Sequence, residues 1–280
     1  MVIDAHVHVW DADRAPYPWL SEVPSLARRY TLTDVLPWFD AAGISGCVLV
    51  QASDHEDDTE LMLAAAAHHP TRVRGVVGWV PMRDPGRAEE LLDRWSGQPL
   101  VGVRHLIHRD PDPQLLLRPE VDDTLAVLAE RGLTFDACAE SLQLLEQVPV
   151  VAARHPRLRV VVDHLAKPPI RDRGWQPWAR LLGEAASLPN VVAKLSGLNT
   201  AASVTWSSAD FTSYVDHALE VFGPTRLMYG GDWPFALLAA DDYAQVWRGI
   251  TGCLSDLSVA ARTAVLHDNA VAIYGLADGP

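Results

Sequence analysis

Eight short apolar runs, each followed by a stretch with helical spacing, leave this chain few ways to fold. The runs are Val2–Val9, Cys47–Gln51, Arg74–Val80, Leu100–Ile107, Leu133–Cys138, Arg159–Asp163, Val191–Leu195 and Arg226–Tyr229. They are rich in Val, Ile and Leu and several are nearly continuous, the pattern of parallel strands covered on both faces. Between them, Asp57–His68, Gly86–Trp95, Glu120–Glu130, Glu140–Ala153, Trp178–Ala186 and Ala209–Phe222 repeat apolar residues at helical intervals. Arg131-Gly132 and Phe222-Gly223-Pro224 read as helix stops. Dividing 280 residues by eight runs gives 35 per unit, about one strand–helix repeat. The reading is an α/β chain forming one (β/α)₈ TIM barrel, a single domain over residues 1–280. An open doubly wound sheet is the competing architecture, weakened because no Gly-rich phosphate-binding turn follows any run. Ala15–Ser25 and Arg109–Pro119 read as loops set into the barrel.

Charge narrows the function classes. With 23 basic and 36 acidic residues the formal charge is −13, so a nucleic-acid partner or a basic membrane-binding face is not expected. No apolar run approaches the length of a membrane span, and the start of the chain lacks a signal-peptide pattern. Cys47, Cys138 and Cys253 are three cysteines without a paired spacing, which argues against a disulfide framework. A cytoplasmic protein acting on a small molecule is the resulting expectation. A homo-oligomer is compatible with it.

In a barrel, the carboxyl ends of the strands build the active site. Of eleven histidines, His6, His8, His105, His108 and His164 fall there. On a strand, side chains two apart share a side, so Asp4, His6 and His8 are expected on one face, with Ala5, Val7 and Val9 toward the helices. His164 ends an apolar run that turns through Pro168-Pro169, and Asp232 closes the last run in Gly230-Gly231-Asp232-Trp233-Pro234. The first and eighth strands meet where a barrel closes, so Asp232 should face His6 and His8. These four can form a catalytic centre, or can ligate a divalent metal with a position left open. Arg104 ends the fourth run and suits a substrate carboxylate or hydroxyls. His105 is a weaker substrate-binding candidate, and Trp10 and Trp233 offer a platform for a sugar ring. Lys167, His108 and Cys138 carry no assigned role.

A first-strand His-x-His, a later strand ending Asp163-His164-Leu165-Ala166-Lys167-Pro168 and a last strand ending Gly230-Gly231-Asp232-Trp233-Pro234 resemble the amidohydrolase superfamily. Within it, the chain is similar to the metal-dependent-hydrolase branch that includes sugar-lactone (L-fuconolactonase-like) and 2-pyrone-4,6-dicarboxylate lactonases. The resemblance runs from Asp4 to Asn269. It implies an amidohydrolase-type barrel and a hydrolase of carboxylic ester bonds, in carbohydrate metabolism. Members with a full metal centre carry histidines on strands five and six and often Lys or Glu on strand four. Here strand five ends Asp136-Ala137-Cys138 and strand four Arg104-His105. The branch includes enzymes that work without metal, so Zn²⁺ on His6, His8, His164 and Asp232 is allowed and not required, and no organic cofactor is implied. Asp232 would activate water while His6, His8 and His164 stabilise the carbonyl oxygen of a small sugar-acid lactone. The alternative is a metal-dependent decarboxylase of an unsaturated or aromatic acid, disfavoured by the missing strand-five histidine. A non-catalytic binding barrel would not need Asp232.

Overall fold

The computed structural model describes residues 1–277; the last three residues of the expected 1–280 domain lie outside it. Eight parallel strands pair in chain order: β1 (Ile3–Val7), β2 (Gly46–Val50), β3 (Val73–Gly78), β4 (Leu100–His105), β5 (Thr134–Ala137), β6 (Val160–Val162), β7 (Val191–Leu195) and β8 (Leu227–Tyr229). Each falls within one of the apolar runs or overlaps it. The ring closes just past the ends of β8 and β1, where His8 N–H donates to Trp233 O (2.7 Å) and Asp232 N–H to His6 O (2.8 Å). Closure and candidate site are therefore the same piece of backbone.

Two apolar layers follow from strand alternation. Val7, Leu49, Val76, Val103, Phe135, Val162 and Leu195 face the helices. Ile3, Ala5, Val48, Val50, Val77, Val161, Val192 and Met228 fill the barrel interior. The last helix, Asn269–Tyr274, plugs the floor of that interior with Ala270, Ile273 and Tyr274. Arg159 Nη1 ties it down at Ile273 O (2.9 Å) and Asn269 Nδ2 at Leu227 O (2.7 Å).

One expectation about faces is corrected. Between Asp4 and Val7, β1 advances three residues while β2 advances two, from Cys47 to Leu49, so β1 carries a bulge. The extra residue flips the alternation. Asp4 points to the helix layer, where its Oδ2 accepts from Tyr243 Oη (2.6 Å), while Ala5 turns inward and His6 and His8 aim into the mouth. Asp4 is not on the site face. Gly230 permits the tight approach of β8, since a Cβ there would stand 2.7 Å from His6 Cβ.

The helices Trp178–Ala186 and Ser208–Phe222 lie where their spacing places them. The stretch expected as one helix over 140–153 is split into Leu142–Leu145 and Val148–Arg154 ahead of Pro149. Leu32–Ala42 and Tyr243–Gly252 are further helices, the first unread because Pro37 interrupts its pattern. Among the described residues no helix is long and apolar enough to cross a membrane.

The loop after β1 is seated by a single buried carboxylate. Asp58, in the first turn of helix Glu56–His68, accepts from Tyr17 Oη (2.5 Å), Ala52 N (2.8 Å) and Ser53 N (3.2 Å). Trp19 Nε1 then donates to Ala52 O (2.7 Å), which sets the Trp19 indole over the barrel mouth. Burial, against those hydrogen bonds, raises the Asp58 carboxyl from 3.8 to about 6. The folded protein thus holds this proton more tightly than the unfolded chain. The stability it confers is full below pH 3.8 and lost as pH rises through about 6. In Asp58→Asn the carbonyl can accept from both backbone amides and the amide can donate to Tyr17 Oη. Relative to that variant, the wild-type unfolding free energy should fall by ~2–3 kcal/mol from pH 4 to 7. Denaturant unfolding at several pH values measures this, and parallel profiles would contradict it.

Candidate active site

His6, His8, His164 and Asp232 converge at the carboxyl-end mouth of the barrel. Asp232 Oδ1 lies 3.4 Å from His8 Nε2, 3.9 Å from His6 Nε2 and 4.0 Å from His164 Nε2. All four are buried. His8, His164 and Asp232 line the end of a cavity of about 560 Å³ whose walls include Trp19, Phe235, Arg104, Lys167 and His108, while His6 packs against His8 and His164 without lining it.

Local backbone aims the two later groups. His164 (φ 56°) opens a run of left-handed residues through Lys167 (φ 49°), and Asp232 stands at φ 53°. Each such non-glycine residue costs on the order of 1–3 kcal/mol, a strain that gathers at functional sites. Gly197 (φ 56°) covers the pair from the end of β7, where a Cβ would approach both Asp232 Oδ2 and His164 Nδ1 to 2.8 Å.

Hydrogen-bond partners set the protonation pattern. His8 Nδ1 lies 2.7 Å from Val50 O, which can only accept, so that nitrogen carries the proton. The neutral ring then turns the Nε2 lone pair toward Asp232 Oδ1, and two lone pairs at 3.4 Å call for a proton or a cation between them. His6 is held between two cations, with Arg104 Nη1 3.3 Å from Nε2 and Lys194 Nζ 3.1 Å from Nδ1. Burial, reinforced by Lys194, drives its pKa well below 6.5, so it stays neutral. Burial likewise lowers His8, and lowers His164 strongly. Burial opposes ionisation of Asp232, but His164 and then His8 outweigh it and hold the carboxyl at about 2. His164 Nδ1 meets Ser196 Oγ at 2.8 Å, a partner able to donate or accept.

A second layer of charge lies beneath these groups, inside the barrel. Lys194, fully buried on β7, contacts Asp136 Oδ2 of β5 (2.6 Å) and Asp163 Oδ1 at the end of β6 (3.1 Å). Arg104 Nη1 reaches Asp163 Oδ2 (3.3 Å), and its other terminal nitrogen binds Gln51 O. Tyr274 Oη, from the floor plug, donates to Asp136 Oδ2 (2.7 Å). Burial works against the charge on Asp163, yet Lys194 and His6 keep its pKa well below 3.8, whereas burial raises Asp136. Two carboxylates and two cations thus face one another inside the barrel. None of Lys194, Asp136 and Asp163 was singled out as a site residue from the sequence. A lysine inside the apolar run Val191–Leu195, in a chain with two lysines, was the available signal.

The expected substrate-binding residues divide. Arg104 borders the cavity, though its guanidinium is largely committed to His6, Asp163 and Gln51. Trp10 does not line it: the indole is enclosed, Nε1 donating to Arg28 O (2.8 Å) and the ring 5.0 Å from Trp19, which it props up. Trp233 packs against Tyr30 (5.4 Å between centroids), away from the cavity. His105 stands behind the wall, accepting from Trp79 Nε1 at 3.0 Å. Trp19 and Phe235 supply the aromatic wall instead.

Residues 3–276 match the model of the amidohydrolase family. The chain belongs to that family. A Burkholderia multivorans protein named L-fucono-1,5-lactonase is 35% identical to this amidohydrolase, over 98% of the chain and 96% of its own length. A Burkholderia ambifaria protein of the same name is 30% identical over 97% and 94%. A zinc-bound crystal structure of an amidohydrolase from Burkholderia multivorans superposes with a TM-score of 0.89 at 33% identity, covering 99% of this chain and 100% of the other.

The buried layer is testable by itself. Removing one member of a buried ion pair typically costs ~3–5 kcal/mol, because the partner is left charged and dry. Lys194→Met should therefore lose that much in urea unfolding, and adding Asp136→Asn should restore part of it. A loss under about 1 kcal/mol, or no recovery, would show that Lys194 does not balance these carboxylates.

Proposed function

We propose that this amidohydrolase opens the ring of a small sugar-acid lactone by hydrolysis. The observation that carries the reading is one ionised carboxylate, Asp232, beside the imidazoles of His8 and His164 at the end of a cavity of about 560 Å³, with His6 close to the same carboxylate. Relatives at 30–35% identity that are named lactonases support it. The decarboxylase alternative has less support, because strand β5 ends in Asp136-Ala137 and offers no histidine.

Hydrolysis needs a base for water, charge stabilisation at the carbonyl oxygen and a proton for the departing alkoxide. Asp232 Oδ1 takes the proton of a water whose oxygen adds to the lactone carbonyl carbon. Of the three histidines expected at the carbonyl oxygen, His164 is the one placed to donate as the oxyanion forms, and one well-placed donor there is worth ~3–4 kcal/mol; His8 Nε2 offers a lone pair, and His6 is engaged by Arg104 and Lys194. His164 is suited to donate through Nε2, since Ser196 can supply a hydrogen bond to its Nδ1. When the ring C–O bond breaks, the alkoxide recovers the proton from Asp232. Arg104 holds positive charge beside the reacting centre, 3.3 Å from His6 Nε2.

The donor set also fits a divalent metal. The lone pair of His8 Nε2, the facing His6 Nε2 and Asp232 Oδ1 would hold Zn²⁺, which when bound supplies Lewis-acid polarisation of a carbonyl; His164, expected as a fourth ligand, falls outside this group. We assign the essential positive charge to Arg104 and Lys194 and treat the metal as dispensable.

Asp232→Asn keeps the shape and removes the basicity. Loss of a proton-transfer group typically costs about 10²- to 10⁴-fold, so kcat on the best sugar-acid lactone, followed by proton release, should drop at least a hundred-fold with the fold intact by circular dichroism. Wild-type turnover in that variant, or release of CO₂ from aromatic acids with lactones untouched, would overturn the reading.

A further inference from the structure

Three side chains in the cavity wall take no part in the scheme above: His108, Cys138 and Glu140. His108 lies in the short turn Ile107–Arg109 after β4, while Cys138 and Glu140 follow β5 directly. Because β4 and β5 pair, their loops stand side by side. One ligating atom from each of the three residues lies within 4.8 Å of the others. The Cys138 Sγ–H points at Glu140 Oε1 (3.5 Å), and Cys138 is buried. Among the described residues His108 Nδ1 is a buried polar atom without a hydrogen-bond partner. An orphan of this kind is destabilising unless something else satisfies it.

We propose that His108, Cys138 and Glu140 form a second cation site, for a thiophilic divalent metal of the Zn²⁺ class. A thiolate, an imidazole and a carboxylate are the ligand types zinc accepts, and three protein ligands leave a fourth position open. Calcium and magnesium prefer all-oxygen shells of six or more, which this corner does not offer. The site shares no residue with His6, His8 and Asp232, and its three members line the same cavity. Burial keeps the Cys138 thiol protonated in the absence of metal, its pKa held well above 9.0. Coordination breaks the S–H bond, forms the S–metal bond and releases one proton to solvent, so affinity rises with pH. None of this depends on the lactonase reading.

Cobalt(II) reports the site by its colour. A thiolate ligand adds a sulfur-to-cobalt charge-transfer absorption that a site made of His6, His8 and Asp232 cannot produce. Titration of Co²⁺ into metal-depleted full-length protein should give this band with a stoichiometry of one. Cys138→Ser, which conserves volume, should abolish it. Glu140→Gln, at an exposed position, should weaken Co²⁺ binding about tenfold or more while retaining the band. No charge-transfer band at saturating Co²⁺, or a band that survives Cys138→Ser, would overturn the proposal. Cys47 and Cys253, the remaining thiols, would be the source of a surviving band.

Discussion

A lysine and an arginine buried in the barrel hold this molecule's candidate site in shape. Lys194 and Arg104 bracket Asp163 and approach opposite nitrogens of His6. Taking four charges out of water is expensive, and apolar side chains of the same volume would often give an equally stable core. What the ions provide is direction. An imidazole flanked by two cations stays neutral and stays oriented, and it presents one nitrogen toward Asp232. The network reaches down to Tyr274, so the helix that closes the floor of the barrel also bears on the orientation of groups at its mouth. Floor and site form one structure.

The closure of the barrel supplies the rest of the geometry. Backbone hydrogen bonds join His6 and His8 to Asp232 and Trp233, so the carboxylate and the histidine pair are fixed by the same contacts that close the ring. The bulge in β1 turns His6 and His8 into the mouth while leaving Asp4 to anchor Tyr243 outside. Left-handed backbone at His164 and Asp232 brings the remaining groups over the cavity. Such strain persists where the surroundings over-determine it, and here Gly197, Ser196 and the β8–β1 closure do so. Trp19, seated through Asp58 and backed by Trp10, forms an aromatic wall over the result.

Much of this was legible in the sequence. Val191–Leu195 and Trp178–Ala186 are a strand and a helix to the residue, because continuous aliphatics and three-four spacing are strong signals. His6, His8, His164 and Asp232 stand out in the sequence by their places at strand ends, and the structure gathers them at one mouth of the barrel. The misreadings have physical causes. A bulge adds one residue without any mark in composition, which defeated the alternation argument at Asp4. Tryptophans at strand ends look like a sugar platform, yet Trp10 is used up by packing and by its bond to Arg28, while Trp19 came from a segment read only as loop. Lys194 and Asp136 lie within apolar strands, where attention to strand ends passes over them, and their pairing across β5 and β7 is a tertiary fact. Pro37 hid a helix that tertiary packing sustains.

If Arg104 and Lys194 supply the positive charge the chemistry needs, the enzyme should work without metal. The decisive measurement is kcat on a sugar-acid lactone for protein stripped by chelation, with elemental analysis confirming that no divalent metal remains. The account predicts that the stripped enzyme keeps most of its turnover. Activity that collapses on stripping and returns in proportion to added Zn²⁺ would contradict it, and would move the essential charge from the two buried side chains to a bound ion.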